Sequence, residues 1–265
     1  MSNFTTLELQ IDDAVARIWL NRPEMRNAID DVFIRELGEA FAQAEGQPGV
    51  RAVVLGGRGP AFCAGANLNW MKKAADYTRE QNLQDAAGLP RMLRTLEQSR
   101  LPVIARIQGD VYAGGMGLVS VCDVAIAASN ANFCLSEVKI GLIPATISPY
   151  VIRAMGARAA QRYFLTAERF SAAEAHRIGF VHEVVEADAL DAKVDEVLKN
   201  ILAAAPGAVG ESKRLWRDMA GQPVTEALNA DTVERIATLR ASDEGREGLK
   251  SFLEKRKPSW VQAQR

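Results

Sequence analysis

Histidine is nearly absent from these 265 residues. The two present, His176 and His182, cannot supply a three-histidine zinc site. They fall in "HRIGFVHEVV", where a helical stretch gives way to a strand, and read as boundary residues. Cysteine is scarce too. Cys63, Cys122 and Cys134 are odd in number, sit in apolar stretches and match no disulfide or zinc spacing. That fits a reducing compartment. An excess of either charge is missing: 32 basic residues face 33 acidic ones, for a net charge of -1. Such a balance leaves no footprint for nucleic acid. No apolar run approaches the ~18 residues that cross a bilayer. The opening "MSNFTTLELQ" lacks the basic-then-apolar order of a secretion signal. The expectation is a soluble cytoplasmic protein with neither membrane nor nucleic acid as partner.

Familiar catalytic signatures are missing as well. There is no G-x-S-x-G elbow, no P-loop and no H-E-x-x-H. The stretch nearest to a dinucleotide fingerprint is "GGMGLVS". Gly115 and Gly117 fit G-x-G-x-x-G, but the last position is Ser120. Strong nucleophiles, metals and dinucleotide cofactors all lose support.

What is present is an alternation of strands and helices, with ordinary globular usage of 48% hydrophobic and 25% charged residues. "TTLELQIDDAVARIWLN" predicts two short strands around a turn at Asp12-Asp13. In "NAIDDVFIRELGEAFAQAEG", Ile29, Val32, Phe33, Leu37, Ala40 and Phe41 recur at helical intervals, and Gly46 stops the helix. "VRAVVLGG", "LPVIARIQG" and "CDVAIAAS" read as buried strands, with helical segments over residues 78–98 and 114–121 between them. Strands and helices alternate to about residue 185, an α/β arrangement. Beyond that point every segment reads as helical. No fixed-period repeat stands out, though strand–strand–helix units recur with divergent sequence.

Three features carry chemistry. Around "GRGPAFCAGANLNWM" a strand ends at Gly56-Gly57, a loop follows, and Ala64-Gly65-Ala66 leads into a helix with Asn67 near its start. In "QGDVYAGGMGLVSV" the strand "PVIARIQG" ends and Gly114-Gly115 begins a helix. Helix starts carry free N–H groups. Two such loops face to face would offer a pair of backbone donors, an oxyanion hole for a thioester oxygen becoming an enolate. Each loop taken alone also reads as a tight turn. The third feature is "NFCLSEVKIGLIPA". Glu137 follows Phe133, Cys134 and Leu135, and apolar neighbours raise a carboxyl pKa toward acid/base use. Ser136 is positioned to cap the short helix after it. A plain helix-start glutamate is the alternative.

In this order and spacing, "AFCAGANL", "GDVYAGGMGLVSVCDVAIA" and "FCLSEVKIGLIP" resemble the enoyl-CoA hydratase/isomerase (crotonase) superfamily. The likeness runs from "WLNRPEMRNAI" to "EGLKSFLEKRKPSW". It implies a crotonase-like α/β spiral of ββα turns over residues 1–200, holding the active site. A C-terminal helical trimerisation region would occupy 201–265. It implies an acyl-CoA thioester substrate and a homotrimer or dimer of trimers. No metal is implied, and no cofactor beyond the CoA that the substrate carries. By position, Glu137 would be the acid/base, and the amides of Ala66 and Gly114 the oxyanion donors. Glu24, Met25, Arg26 and the segment Ala64, Ala66, Asn67 and Leu68 would line the CoA site. Phe252 and Lys255 match C-terminal residues that reach CoA, commonly that of a neighbouring subunit.

The chain departs from the family at three places. Hydratases of the family carry a first glutamate three residues beyond the oxyanion glycine, which falls on Gly117 here. "AGAD" reads "AGAN", with Asn67 in place of the acid, and the usual lysine after the N-terminal proline is Glu24. Tyr77, Glu80, Asp85, Ser148 and Tyr150 are candidates to hold a water in place of the missing acid. "FCLSEVKIGLIPATISPYVIRAMGARAAQRYFLTAERF" resembles bacterial methylglutaconyl-CoA and isohexenylglutaconyl-CoA hydratases. In that stretch Arg153 is a candidate partner for a substrate carboxylate. The leading expectation is therefore hydration of a branched or carboxylated enoyl-CoA, such as 3-methylglutaconyl-CoA. The alternatives are a Δ3,Δ2-enoyl-CoA isomerase working with one glutamate, and a non-catalytic member that binds acyl-CoA or RNA. The neutral charge argues against RNA.

Overall fold

The computed structural model describes residues 4–262. Its first hairpin turns at Asp13-Ala14, one residue later than the alternation predicts, because Asp12 still pairs with Val15. β1 (Leu7–Asp12) and β2 (Val15–Leu20) pair antiparallel, and Asp13 takes the positive φ of 47° between them. α1 (Asp31–Gly46) follows. The Asp30 carboxylate caps it by accepting the Phe33 N–H. Ile29, expected on the helix, lies before it and forms a one-residue parallel bridge with Ala66 instead.

Three strand–strand–helix turns come next. The first holds β3 (Ala52–Gly57), β4 (Ala61–Cys63), α2 (Leu68–Ala74), α3 (Arg79–Ala86) and α4 (Gly88–Gln98). The helix expected over 78–98 is thus two helices, broken at Ala87. The second turn holds β5 (Val103–Ile107), β6 (Asp110–Tyr112) and α5 (Gly114–Ser120). The third holds β7 (Val124–Ala128), β8 (Asn132–Cys134), a 3-10 turn at Glu137–Ile140, α6 (Ser148–Met155) and α7 (Ala157–Thr166). β9 (Phe170–Ser171), α8 (Ala172–Arg177) and β10 (Glu183–Val185) then close the body. The longer strand of each turn joins a six-stranded sheet, in the order β1-β2-β3-β5-β7-β10. The short strand joins a four-stranded sheet, β4-β6-β8-β9.

β3 and β7 are apolar throughout because both of their faces are covered. Ala16, Ile18, Leu20, Val53 and Leu55 enter the main core with Phe33, Leu37 and Phe41 of α1 and Leu93 and Leu96 of α4. The alternate residues Ala52, Val54, Ile104 and Ile126 face the other way. Leu190, Val194 and Leu198 of α9 (Leu190–Ala203) cover them.

Four more helices follow among the described residues: α10 (Pro206–Met219), α11 (Glu226–Ala241), α12 (Asp243–Leu253) and α13 (Ser259–Gln262). One buried ion pair docks α10 on the body. Lys213 Nζ stands 2.7 Å from Asp123 Oδ2 and donates to the Leu101 carbonyl at 2.9 Å. The Glu244 carboxylate of α12 accepts the Gly207 and Ala208 N–H groups at the start of α10. Among the described residues no helix is long and apolar enough to cross a membrane.

Candidate active site

The three chemistry-bearing loops leave the C-terminal ends of three adjacent strands. β4, β6 and β8 are parallel neighbours, so their ends lie about 5 Å apart in sequence of pairing. Ala64-Gly65-Ala66 follows β4, Ala113-Gly114 follows β6, and Glu137 lies three residues beyond β8. Such a strand-end crevice is where open parallel sheets bind ligands.

Close backbone packing holds these loops together. Gly65 has φ +92°, which side chains other than glycine rarely adopt. A Cβ there would stand 3.0 Å from the Ala113 Cβ and 3.3 Å from the Tyr112 carbonyl oxygen. The Ala113 N–H donates to the Cys134 carbonyl at 2.9 Å. Gly65, Ala113 and Cys134 therefore form a row across the three strand ends. Ala113 itself has φ 47° and ψ −117°, a strained conformation for a residue with a side chain. The Cys134 bond and the Met116 N–H, which donates to the Ala113 carbonyl, keep it there.

The bridge to Ile29 decides where the Ala66 amide points. The Ile29 N–H donates to the Gly65 carbonyl at 2.7 Å, and the Asn67 N–H donates to the Ile29 carbonyl at 2.8 Å. Flanking residues of an extended segment use one edge, so the Ala66 N–H faces the opposite edge. No protein acceptor takes it among the described residues, and Ala66 is exposed. The Gly114 N–H, first in α5, is likewise without a protein acceptor among the described residues.

Glu137 has the environment expected of an acid/base. Its Oε2 has neither solvent nor a hydrogen-bond partner. Burial pushes its pKa above the usual glutamate range, against a weaker pull from its own backbone N–H. Ser136 does not cap the turn. Its φ of −91° and ψ of −1° are already helical, and its hydroxyl makes no cap bond.

Gly117 answers the missing first acid with a wall. A Cβ on it would lie 2.5 Å from Ile147 Cγ2, 3.0 Å from Ile147 Cβ and 3.3 Å from Leu93 Cδ1. Both neighbours are fully buried. The side chain of Ile147 thus stands where a residue at 117 would send its own. Ile29, whose Cδ1 would be 2.8 Å from a Cβ on Gly114, packs against that glycine in the same manner. Sequence reasoning missed both isoleucines, because each contact joins segments distant along the chain.

The remaining candidates divide. Glu24 and Met25 lie in an exposed 3-10 turn at Pro23–Met25, and Arg26 follows with φ 53°. The Ala64 N–H donates to the Arg26 carbonyl at 3.0 Å, and Asn67 Nδ2 lies 3.5 Å from Met25 Sδ. These two loops form one surface. Asn67 caps α2, its Oδ1 accepting the Asn69 N–H at 2.8 Å, while its Nδ2 donates to Asp30. Leu68 begins that helix, 74% exposed. Phe252 and Lys255 stand apart, on α12 and just after it. Phe252 is 80% exposed.

The candidate water-holders are occupied elsewhere or exposed. Asp85 accepts the Trp70 indole N–H at 2.9 Å. The Ser148 hydroxyl donates to the Ala145 carbonyl at 2.8 Å. Tyr150 lies under the Arg153 guanidinium, and burial pushes its phenol pKa up. Glu80 is exposed and Tyr77 half-buried. Arg153 is paired with Glu97 and lies over Trp216, so its charge is already matched. The two histidines are boundary residues: His176 lies in the last turn of α8, and His182 Nδ1 accepts the Ala125 N–H.

Known proteins are similar to this chain in sequence or in fold. The chain is 35% identical to mevalonyl-coenzyme A hydratase of Aspergillus fumigatus, over 91% of this chain and 89% of that one. It is 32% identical to (E)-benzylidenesuccinyl-CoA hydratase of Thauera aromatica, over 95% and 97%. The crystal structure of an enoyl-CoA hydratase from Shewanella pealeana superposes with a TM-score of 0.94 at 41% identity, covering 97% of each chain. A family profile described as enoyl-CoA hydratase/isomerase matches residues 10–264. With its ββα spiral and paired strand-end loops, the chain belongs to the enoyl-CoA hydratase/isomerase family.

Proposed function

We propose that the protein hydrates 2-enoyl-CoA thioesters, with Glu137 as the general acid/base and the Ala66 and Gly114 amides as the oxyanion hole. One observation carries the reading: a buried carboxyl with an unpartnered oxygen sits at the same row of strand ends as two unpaired backbone donors. The thioester oxygen accepts both amides. The Glu137 carboxylate takes a proton from water as the water oxygen bonds to C3. Charge gathers on the thioester oxygen, and Glu137 then returns the proton to C2. Each oxyanion donor supports about 3–4 kcal/mol of transition-state stabilisation, and a placed carboxylate about 10²–10⁴-fold in rate.

A branched or carboxylated acyl group, such as 3-methylglutaconyl, is the proposed substrate class. Its support is the likeness of residues 133–170 to that subgroup and the branched acyl groups named in the two relatives above. Arg153 is not its carboxylate partner in this proposal, since Glu97 holds it. The Glu24–Arg26 turn and the Ala64–Leu68 segment would receive CoA, with Phe252 and Lys255 reaching it from a neighbouring subunit. A trimer, alone or doubled, is supported by α11, which buries none of its residues, and by exposed Val233, Leu249, Phe252 and Leu253. CoA arrives with the substrate, and no separate cofactor enters the proposed steps. A cytoplasmic location fits the three unpaired cysteines.

The test is to mix pure protein with 3-methylglutaconyl-CoA and follow the enoyl absorbance. Loss of absorbance in the wild type and its retention with Glu137→Gln support the reading. An equally active Glu137→Gln contradicts it. A second reading, isomerisation between 3-enoyl and 2-enoyl thioesters, is favoured by Gly117, since one carboxylate suffices to move a proton between C4 and C2.

A further inference from the structure

Gly114 and Gly117 are three residues apart in α5 and share one face of it. A side chain at 117 would stand one turn along from the proposed oxyanion donor. By the family resemblance, that is the place where hydratases carry their first glutamate. The space is not empty. It holds Ile147, 1% exposed, backed by Leu93, wholly buried. Ile147 belongs to the same connection as Glu137, between β8 and α6. One segment therefore supplies both the carboxyl and the apolar group that fills the place opposite α5. The Cβ–Cγ2 distance of 2.5 Å is below any real contact, so even alanine at 117 forces Ile147 to move. The neighbours belong to the main core, which leaves them little room to give.

We infer that Ile147 is the selectivity-determining residue that restricts this site to one carboxylate. It closes the position from which α5 could present a second acid or hold a second water. The inference rests on the proposed reaction at Glu137. Its consequence is a proton cycle with a single carrier. The proton that leaves water when the oxygen–C3 bond forms is the one that Glu137 places on C2. No second group exchanges protons with solvent during the turnover.

A four-member set tests it: wild type, Gly117→Glu, Ile147→Ala and the double variant, with Gly117→Ala and Gly117→Ala/Ile147→Ala as steric controls. Thermal melts need no substrate. Gly117→Ala is expected to melt about 5 °C below wild type. It should lose far less when compared with Ile147→Ala as its own background. For activity, the pH profile of kcat/KM is read with Glu137→Gln as control. Wild type and Ile147→Ala should show one ionisation limb from the carboxylate. The Gly117→Glu/Ile147→Ala variant should show a second limb, with a hydration kcat at least about tenfold above Ile147→Ala. Gly117→Glu alone should be destabilised and keep one limb. If Gly117→Glu alone melts like wild type and shows two limbs, Ile147 does not close the position and the inference fails. It fails equally if the double variant folds yet shows one limb and no gain in rate. Absence of turnover in wild type would sink the proposed reaction instead, while the melts still decide whether Ile147 blocks position 117.

Discussion

Replacing Lys213 with methionine isolates the one buried charge pair that ties α10 to the spiral. The Lys213 and Asp123 side chains are 5% and 17% exposed, and their charged atoms are 2.7 Å apart. Asp123 Oδ2 also accepts the Val103 N–H at 2.7 Å. Burial raises the Asp123 pKa above the usual aspartate range, and the Lys213 ammonium is the main force holding it down. Methionine keeps the length of the side chain but removes the ammonium. An uncompensated carboxylate is left inside, which costs about 3–5 kcal/mol. At 2–4 °C per kcal/mol, the melt should fall by about 10 °C. The loss has a definite pH sign. Without Lys213 the folded carboxyl titrates higher still, while the unfolded one ionises near its ordinary value of about 3.9. Above that value the unfolded state binds fewer protons, so stability falls as pH rises, by up to ~1.4 kcal/mol per unit. The deficit ends its growth only once the folded carboxyl also ionises. Melts followed by circular dichroism at about pH 5 and about pH 8 measure both effects. The variant should be closer to wild type at the lower pH. Adding Asp123→Asn should recover at least half of the loss, since asparagine still accepts the Val103 N–H. A shift below about 1 kcal/mol, or a deficit that shrinks as pH rises, would refute this account of the pair.

Three further outcomes follow from the site. In wild type, kcat/KM should rise with pH through an ionisation above the ordinary glutamate range, because protonating Glu137 removes the base; a profile flat across that region contradicts its role. Gly65→Ala should cost about 2 kcal/mol in stability, from the positive φ and the contact with Ala113. By turning the Ala66 amide it should also lower kcat by about 100-fold; a variant that melts lower with unchanged kcat would separate Gly65 from the oxyanion hole. Phe252→Ala and Lys255→Ala should raise KM for the thioester severalfold and leave kcat nearly unchanged, and an unchanged KM would remove them from the CoA site.

Much of the spiral is legible in the residues. The first hairpin, to within one residue, and the buried β3, β5 and β7 show themselves through alternation or unbroken apolar runs. The four strands of the smaller sheet do not. β4, β6 and β8 span three residues each and β9 two, too short for any period to register. Those are the strands whose ends assemble the site, so the loops could be named from small residues while their adjacency could not. Ile29 carries the same lesson. Its spacing matches the helix that follows, yet its backbone is claimed by the bridge to Ala66. Ser136 has the residue type of a cap, but its backbone is already helical. The wall at Gly117 depends on Ile147, and the pairing of Arg153 depends on Glu97. Both contacts close across distant segments, where a single sequence is silent.

The central claim is that Glu137 alone adds water across the double bond of an enoyl thioester bound at the Ala66 and Gly114 amides. Mass spectrometry of the products from a panel of 2-enoyl- and 3-enoyl-CoA thioesters, run in oxygen-labelled water, tests it most directly. The account predicts a 3-hydroxyacyl-CoA carrying one labelled water from the 2-enoyl substrates, lost with Glu137→Gln. Isomerised product of unchanged mass, with no labelled hydroxyl formed from any thioester, would contradict it.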